Sequence, residues 1–120
     1  MARFGEVKLL VDKDGDYVNF QVEPDISFEE YEKCTMWSLT ITFFEHDTLS
    51  SDDFIQDVKH IIDPKKPEEF KEFNERIKKK EIEKHAKLAD AKVYVDLKLK
   101  PMQTLTTTFI RSDYEEIHLH

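Results

Sequence analysis

An α+β fold, with one mainly antiparallel sheet and two helices packed on one face, is the architecture that three features of the sequence predict. Two period-two runs flank Asp14-Gly15, a third such run from Trp37 to Phe43 is β-branched and aromatic, and two later segments space their apolar residues at helical intervals. The expected order is β-β-β-α-α-β-β. The 34 Leu, Ile, Val and Phe residues, 28% of the 120, suffice for one modest core and hence one domain over 1–120.

The first strand covers Glu6 to Val11 and the second Tyr17 to Val22, where Val18, Phe20 and Val22 share a face. An Asp-Gly step between them accepts the positive φ of a tight hairpin. Pro24 is expected to end the second strand, and Ser27-Phe28-Glu29-Glu30 has the Ser-x-x-Glu form of a capping box that opens a short turn through Lys33. In the third strand, Trp37, Leu39, Ile41 and Phe43 point one way and Ser38, Thr40 and Thr42 the other.

Ser50-Ser51-Asp52-Asp53 reads as the N-terminus of a helix carrying Phe54, Ile55, Val58, Ile61 and Ile62, stopped at Asp63-Pro64. Pro67-Glu68-Glu69 reads as the start of a second helix to about Ala89, with Phe70, Phe73, Ile77 and Leu88 on one side and Glu72/Arg76 and Glu75/Lys79 as i,i+4 pairs. Glu81 and Lys84 interrupt that apolar stripe. Val93, Val95, Leu97 and Leu99 mark the fourth strand, Thr104 to Arg111 the fifth, and 112–120 is a polar tail that extends it or frays.

Charged residues make up 37% of the chain and the net charge is −8. The acidity is one-sided: residues 1–60 carry −9 and residues 61–120 carry +1. Such a balance repels nucleic-acid backbones, so direct nucleic-acid binding is not expected, and a protein partner with a basic surface is. No stretch approaches the ~18 apolar residues of a membrane span, and Met-Ala-Arg-Phe-Gly lacks the apolar region of a secretory signal; a cytoplasmic protein with no membrane association is expected. The single cysteine, Cys34, excludes an intrachain disulfide.

Motifs for chemistry are sparse. Asp12, Asp14, Asp16 and Glu23 match loop positions 1, 3, 5 and 12 of a calcium-binding EF-hand, but Tyr17 stands where glycine is required and the flanks alternate as strands, so a solvated hairpin turn is expected instead. His118 and His120, two apart in an extended tail, lack a third ligand, and Glu81 with His85 is an ordinary helix pair. With two glycines there is little to build a phosphate cradle or oxyanion hole. No catalytic residues, metal or cofactor are therefore expected.

The functional expectation is a non-enzymatic, acidic protein-binding module, an inhibitor or adaptor of the kind that phages and mobile elements direct at basic sites. Asp25, Glu29, Glu30 and Glu32 cluster locally, with Phe28 and Tyr31 as apolar anchors, and form the candidate partner-binding site. A self-assembling structural protein, homo-oligomeric through its sheet edge or a face lined by Ser38, Thr40, Thr42, Thr104, Thr106, Thr108, Met36 and Tyr94, is the alternative. A small hydrolase or metal-dependent enzyme is the third reading.

Overall fold

The computed structural model describes residues 2–46, 51–84, 90–103 and 108–119, and for Asp90 only the backbone. Its strands are β1 (Arg3–Asp14), β2 (Tyr17–Ser27), β3 (Trp37–Glu45), β4 (Asp53–Ile62), β5 (Phe73–Lys78), β6 (Asp90–Pro101), β7 (Thr108–Arg111) and β8 (Glu115–His118). A three-stranded sheet runs β1-β2-β5. A five-stranded sheet runs β4-β3-β6, with β7 and β8 paired in succession along the far side of β6. Every ladder is antiparallel.

The expected α+β architecture is thus overturned. Trp37, Leu39, Ile41, Phe43, Val93, Val95, Leu97 and Leu99 are all fully buried, but they meet a second sheet rather than helices. That sheet supplies Val7 and Leu9 from β1, Val18, Phe20 and Val22 from β2, and Phe73 and Ile77 from β5. Phe20 and Phe43 touch across the gap at a ring separation of 5.0 Å. Two one-sided sheets facing each other dispose of both apolar faces at once, which is the logic of a β-sandwich.

Both predicted helices are strands because a spacing of four residues satisfies period two as well as period 3.6. In β4, Val58 and Ile62 are four apart on one face, with His60 between them, while the exposed Ile61 faces outward with Asp57 and Lys59. The adjacent pair Phe54-Ile55, incompatible with strict alternation, is absorbed by a bulge: Phe43 pairs Gln56 and Phe44 pairs Phe54, leaving Ile55 as the extra residue. Pro67–Phe70 forms a single 3-10 turn, after which Phe73, Glu75 and Ile77 point inward from β5, and among the described residues only Lys79–Glu83 is α-helical. Leu88, Ala89 and His85 lie outside the described residues, as do Thr104 to Thr107 and His120.

The hairpin is as the sequence predicts, with longer arms. Its two-residue loop is Gly15-Asp16, and Gly15 has φ +61° while no other described residue has positive φ, the pattern of a II′ turn. β2 runs through Pro24 to Ser27 instead of ending there. The β2–β5 ladder stops at Val22 opposite Phe73, so the missing N–H of Pro24 is not needed on that side. The capping box belongs to Glu29 and Glu32 at the head of the 3-10 helix Glu30–Cys34, not to Ser27 and Glu30. Part of the tail is ordered: β8 pairs with β6 and buries Ile117.

Among the described residues no helix is long and apolar enough to cross a membrane. Leu39→Ala, at a site with no exposed surface, is expected to lower the free energy of unfolding by about 2 to 5 kcal/mol. Ile61→Ala, which would empty a core position of the predicted helix, is expected to change it by no more than about 0.5 kcal/mol. Chemical denaturation of the two variants checks both; a large loss at Ile61 would contradict the outward assignment.

Candidate functional site

The outer faces of the two sheets differ. On the three-stranded sheet, alternation sends out Lys8, Leu10, Asp12 and Asp14 from β1, Tyr17, Asn19, Gln21 and Glu23 from β2, and Asn74, Arg76 and Lys78 from β5. Arg76 lies over the Tyr17 ring at 4.0 Å and 3.5 Å from Asp14. That is an ordinary solvated surface.

The outer face of the five-stranded sheet carries Ser38, Thr40 and Thr42 along β3, as the sequence predicts, and Tyr94 shares their side. Thr108 does not: it pairs with Leu99, whose side chain is in the core. Across the β3 end of this face runs an aromatic strip. Phe54 meets Phe44 edge-on at 6.2 Å, Phe44 stacks on Tyr94 at 5.4 Å, Tyr94 meets Tyr114 at 5.2 Å, and Tyr114 stacks on His46 at 4.2 Å. Phe54 and Tyr114 are 51% and 48% exposed, whereas Tyr94, covered on both sides, is 2% exposed.

Polar groups lock the strip in place. The Tyr94 hydroxyl donates to Asp52 Oδ2 at 2.6 Å, and Asp52 Oδ1 lies 3.2 Å from His46 Nδ1. Arg111 sits over the Tyr94 ring at 4.6 Å while its guanidinium donates twice to Asp96, at 2.6 and 2.9 Å. Burial and the hydrogen bond to the Asp52 carboxylate raise the Tyr94 hydroxyl well above the ordinary tyrosine range. The hydrogen bond from its side chain to Asp96 likewise raises Arg111, so its positive charge is fixed. Exposed Glu116, opposite Lys92 on the outer face, and exposed Asp113, next to Tyr114 in the chain, add negative charge on the side of the strip, whereas Glu115 pairs with inward-facing Val93 and belongs to the other side of the sheet.

The residues that the sequence singles out lie at the other end of the sandwich. Asp25 is exposed and leans over Gly5, where a Cβ would require its carboxylate to turn aside. Glu29, Glu30 and Tyr31 are exposed, and Glu30 pairs with Lys33 at 3.0 Å. Phe28 is half-buried between Trp37 and Phe70, so it is a core plug rather than a surface anchor. Glu32 is 1% exposed: its carboxylate accepts from the backbone N–H groups of Glu29 and Ala2, and its carbonyl accepts from Trp37 Nε1 at 2.9 Å. It cannot contact a partner, and it leaves the candidate set.

Asp12, Asp14 and Asp16 occupy the hairpin end, and Glu23, which stands opposite Lys8, is four residue steps or about 13 Å along the ladder from Asp12 and six steps or about 20 Å from Asp14. The EF-hand spacing therefore brings no ligand set together. Among the described residues no three His, Cys, Asp or Glu side chains converge on a metal position. The strip itself was not singled out from the sequence. Its signal there is the outward parity of Phe44 and Tyr94, two large aromatics on a face whose other positions are mostly Ser, Thr, Lys and Asp.

No protein-family model, curated protein or solved structure matches the chain.

The direction of the Tyr94 shift fixes a pH dependence. An unfolded tyrosine ionises near pH 10, while folded Tyr94 holds its proton to higher pH. Its contribution to stability is complete below about pH 10 and is lost as the pH rises beyond it, because only the unfolded chain then gains by releasing the proton. Tyr94→Phe is expected to flatten the alkaline fall in stability and to remove phenolate absorbance only above about pH 10; loss of absorbance below that would contradict the burial of this hydroxyl.

Proposed function

We propose that the chain is a cytoplasmic, non-enzymatic protein-binding module, an inhibitor or adaptor whose partner presents a basic surface. The observation that carries this reading is the aromatic strip: two half-exposed rings, Phe54 on β4 and Tyr114 in the connection between β7 and β8, fixed by stacking and backed by the buried Tyr94, with Arg111 beside them. Aromatic and arginine side chains dominate binding energy, and rings already fixed by their neighbours lose little freedom on association. Asp52 and Asp96 are engaged by Tyr94, His46 and Arg111, so these polar groups serve to hold the rings. Around them, Asp113 and Glu116, together with a net charge of −8, steer a basic surface inward.

Asp25, Glu29, Glu30 and Tyr31 form the rival surface at the opposite end. The two sites are separable by kinetics. For a partner captured from native lysate, Phe54→Ala and Tyr114→Ala are expected to speed dissociation by about tenfold each, and reversing Asp113 and Glu116 to Lys to slow association at low salt. Unchanged kinetics in these variants, with binding lost on Tyr31→Ala or on reversal of Glu29 and Glu30, would move the site to the other end of the sandwich.

A further inference from the structure

β4 is an outer strand. It pairs with β3 on one side and, among the described residues, with nothing on the other. Such an edge offers a row of backbone N–H and C=O groups to any strand that fits it, and a lysine placed on it usually repels that approach. Lys59 stands on the outer face of β4, but Asp57 precedes it by two residues on the same face. Both are exposed, their neighbours across β3 are Thr40 and Thr42, and neither has an ion partner among the described residues.

Inverted about Val58, the strand is complementary to itself. We propose that two copies of the chain pair antiparallel along β4, with Val58 opposite Val58 of the partner subunit. Asp57 then lies directly opposite Lys59 of the partner subunit, and Lys59 opposite Asp57 of the partner subunit, at the roughly 5 Å Cβ spacing of cross-strand neighbours. The symmetry repeats each contact, as an isologous interface requires. In a parallel in-register pair the same residues would set acid against acid and base against base, so the charges select one orientation. The bulge at Ile55 limits the ladder to Gln56 through His60, and past it the exposed Ile61 of each copy meets the Phe54-Ile55 stretch of the other. On the inner side the His60 side chain is already held by Glu75 at 2.7 Å.

The pairing makes one continuous sheet from the two five-stranded sheets and sets two aromatic strips on one surface. Asp57 and Lys59 lie outside both candidate sites, so exchanging their charges leaves the partner-binding residues in place; Phe54 alone is shared, at the border of the Ile61 contact.

Sedimentation equilibrium of the full chain tests it by charge exchange. Wild type is expected to show a concentration-dependent dimer. Asp57→Lys and Lys59→Asp are each expected to weaken it by about tenfold or more, because each change turns two attractive cross-strand pairs into two repulsive ones. The double variant Asp57→Lys/Lys59→Asp restores the dimer. An equimolar mixture of the two single variants is expected to form a heterodimer, since the two lysines on the edge of one copy then face the two aspartates on the edge of the other. Circular dichroism of each variant confirms that it is folded. A wild type that stays monomeric, or single variants that dimerise as wild type does, or a mixture no more associated than its components, would each overturn the proposal.

Discussion

The structure depends on β2. Its inward residues Val18, Phe20 and Val22 are fully buried, and they are the central apolar row that covers the inner face of β3 and β6. The Phe20–Phe43 contact marks where the two rows meet. Without that cover, eight large side chains from Trp37 to Leu99 would face water, each forfeiting about 1.5 to 3 kcal/mol. β1 and β5 flank β2 and widen the lid.

Two devices close the sandwich where the sheets part. On the β4 and β5 side, His60 and Glu75 meet at 2.7 Å, and the imidazole also lies 4.6 Å from the Phe73 ring. A charged residue at an inward strand position is acceptable only with such a partner. At the Trp37 end, Phe28 plugs the gap against Trp37 and Phe70, and buried Glu32 ties together the 3-10 helix, the backbone of Ala2 and the indole of Trp37. Ends sealed in this way leave the outer faces to differ, one solvated and one carrying the aromatic strip.

The hairpin, β3 and β6 were legible because alternation with aromatic and β-branched residues admits a single reading. β4 and β5 were not. Val58 and Ile62, like Phe73 and Ile77, are four residues apart and fit either period, and Ser-Ser-Asp-Asp and Pro-Glu-Glu supplied helix-start signals that the tertiary structure overrode. Two clues pointed the other way: Glu81 and Lys84 spoiled the helical stripe, and Val58, Ile61 and Ile62 are β-branched. The partner that makes Glu75 tolerable inside, His60, is fifteen residues away and is found only by folding the chain. The site was hidden for a similar reason. Asp25 to Glu32 is an acidic cluster visible as a run, whereas His46, Asp52, Tyr94, Arg111 and Tyr114 are scattered along the chain and adjacent only across strands.

Backbone NOE contacts over residues 73–78 decide between the two architectures most directly. The sandwich requires cross-strand contacts of Val18 with Ile77 and of Phe20 with Glu75. Sequential i to i+3 contacts from Phe70 through Lys84, with none to β2, would restore the long helix, remove the lid from β3 and β6, and contradict the two-sheet fold.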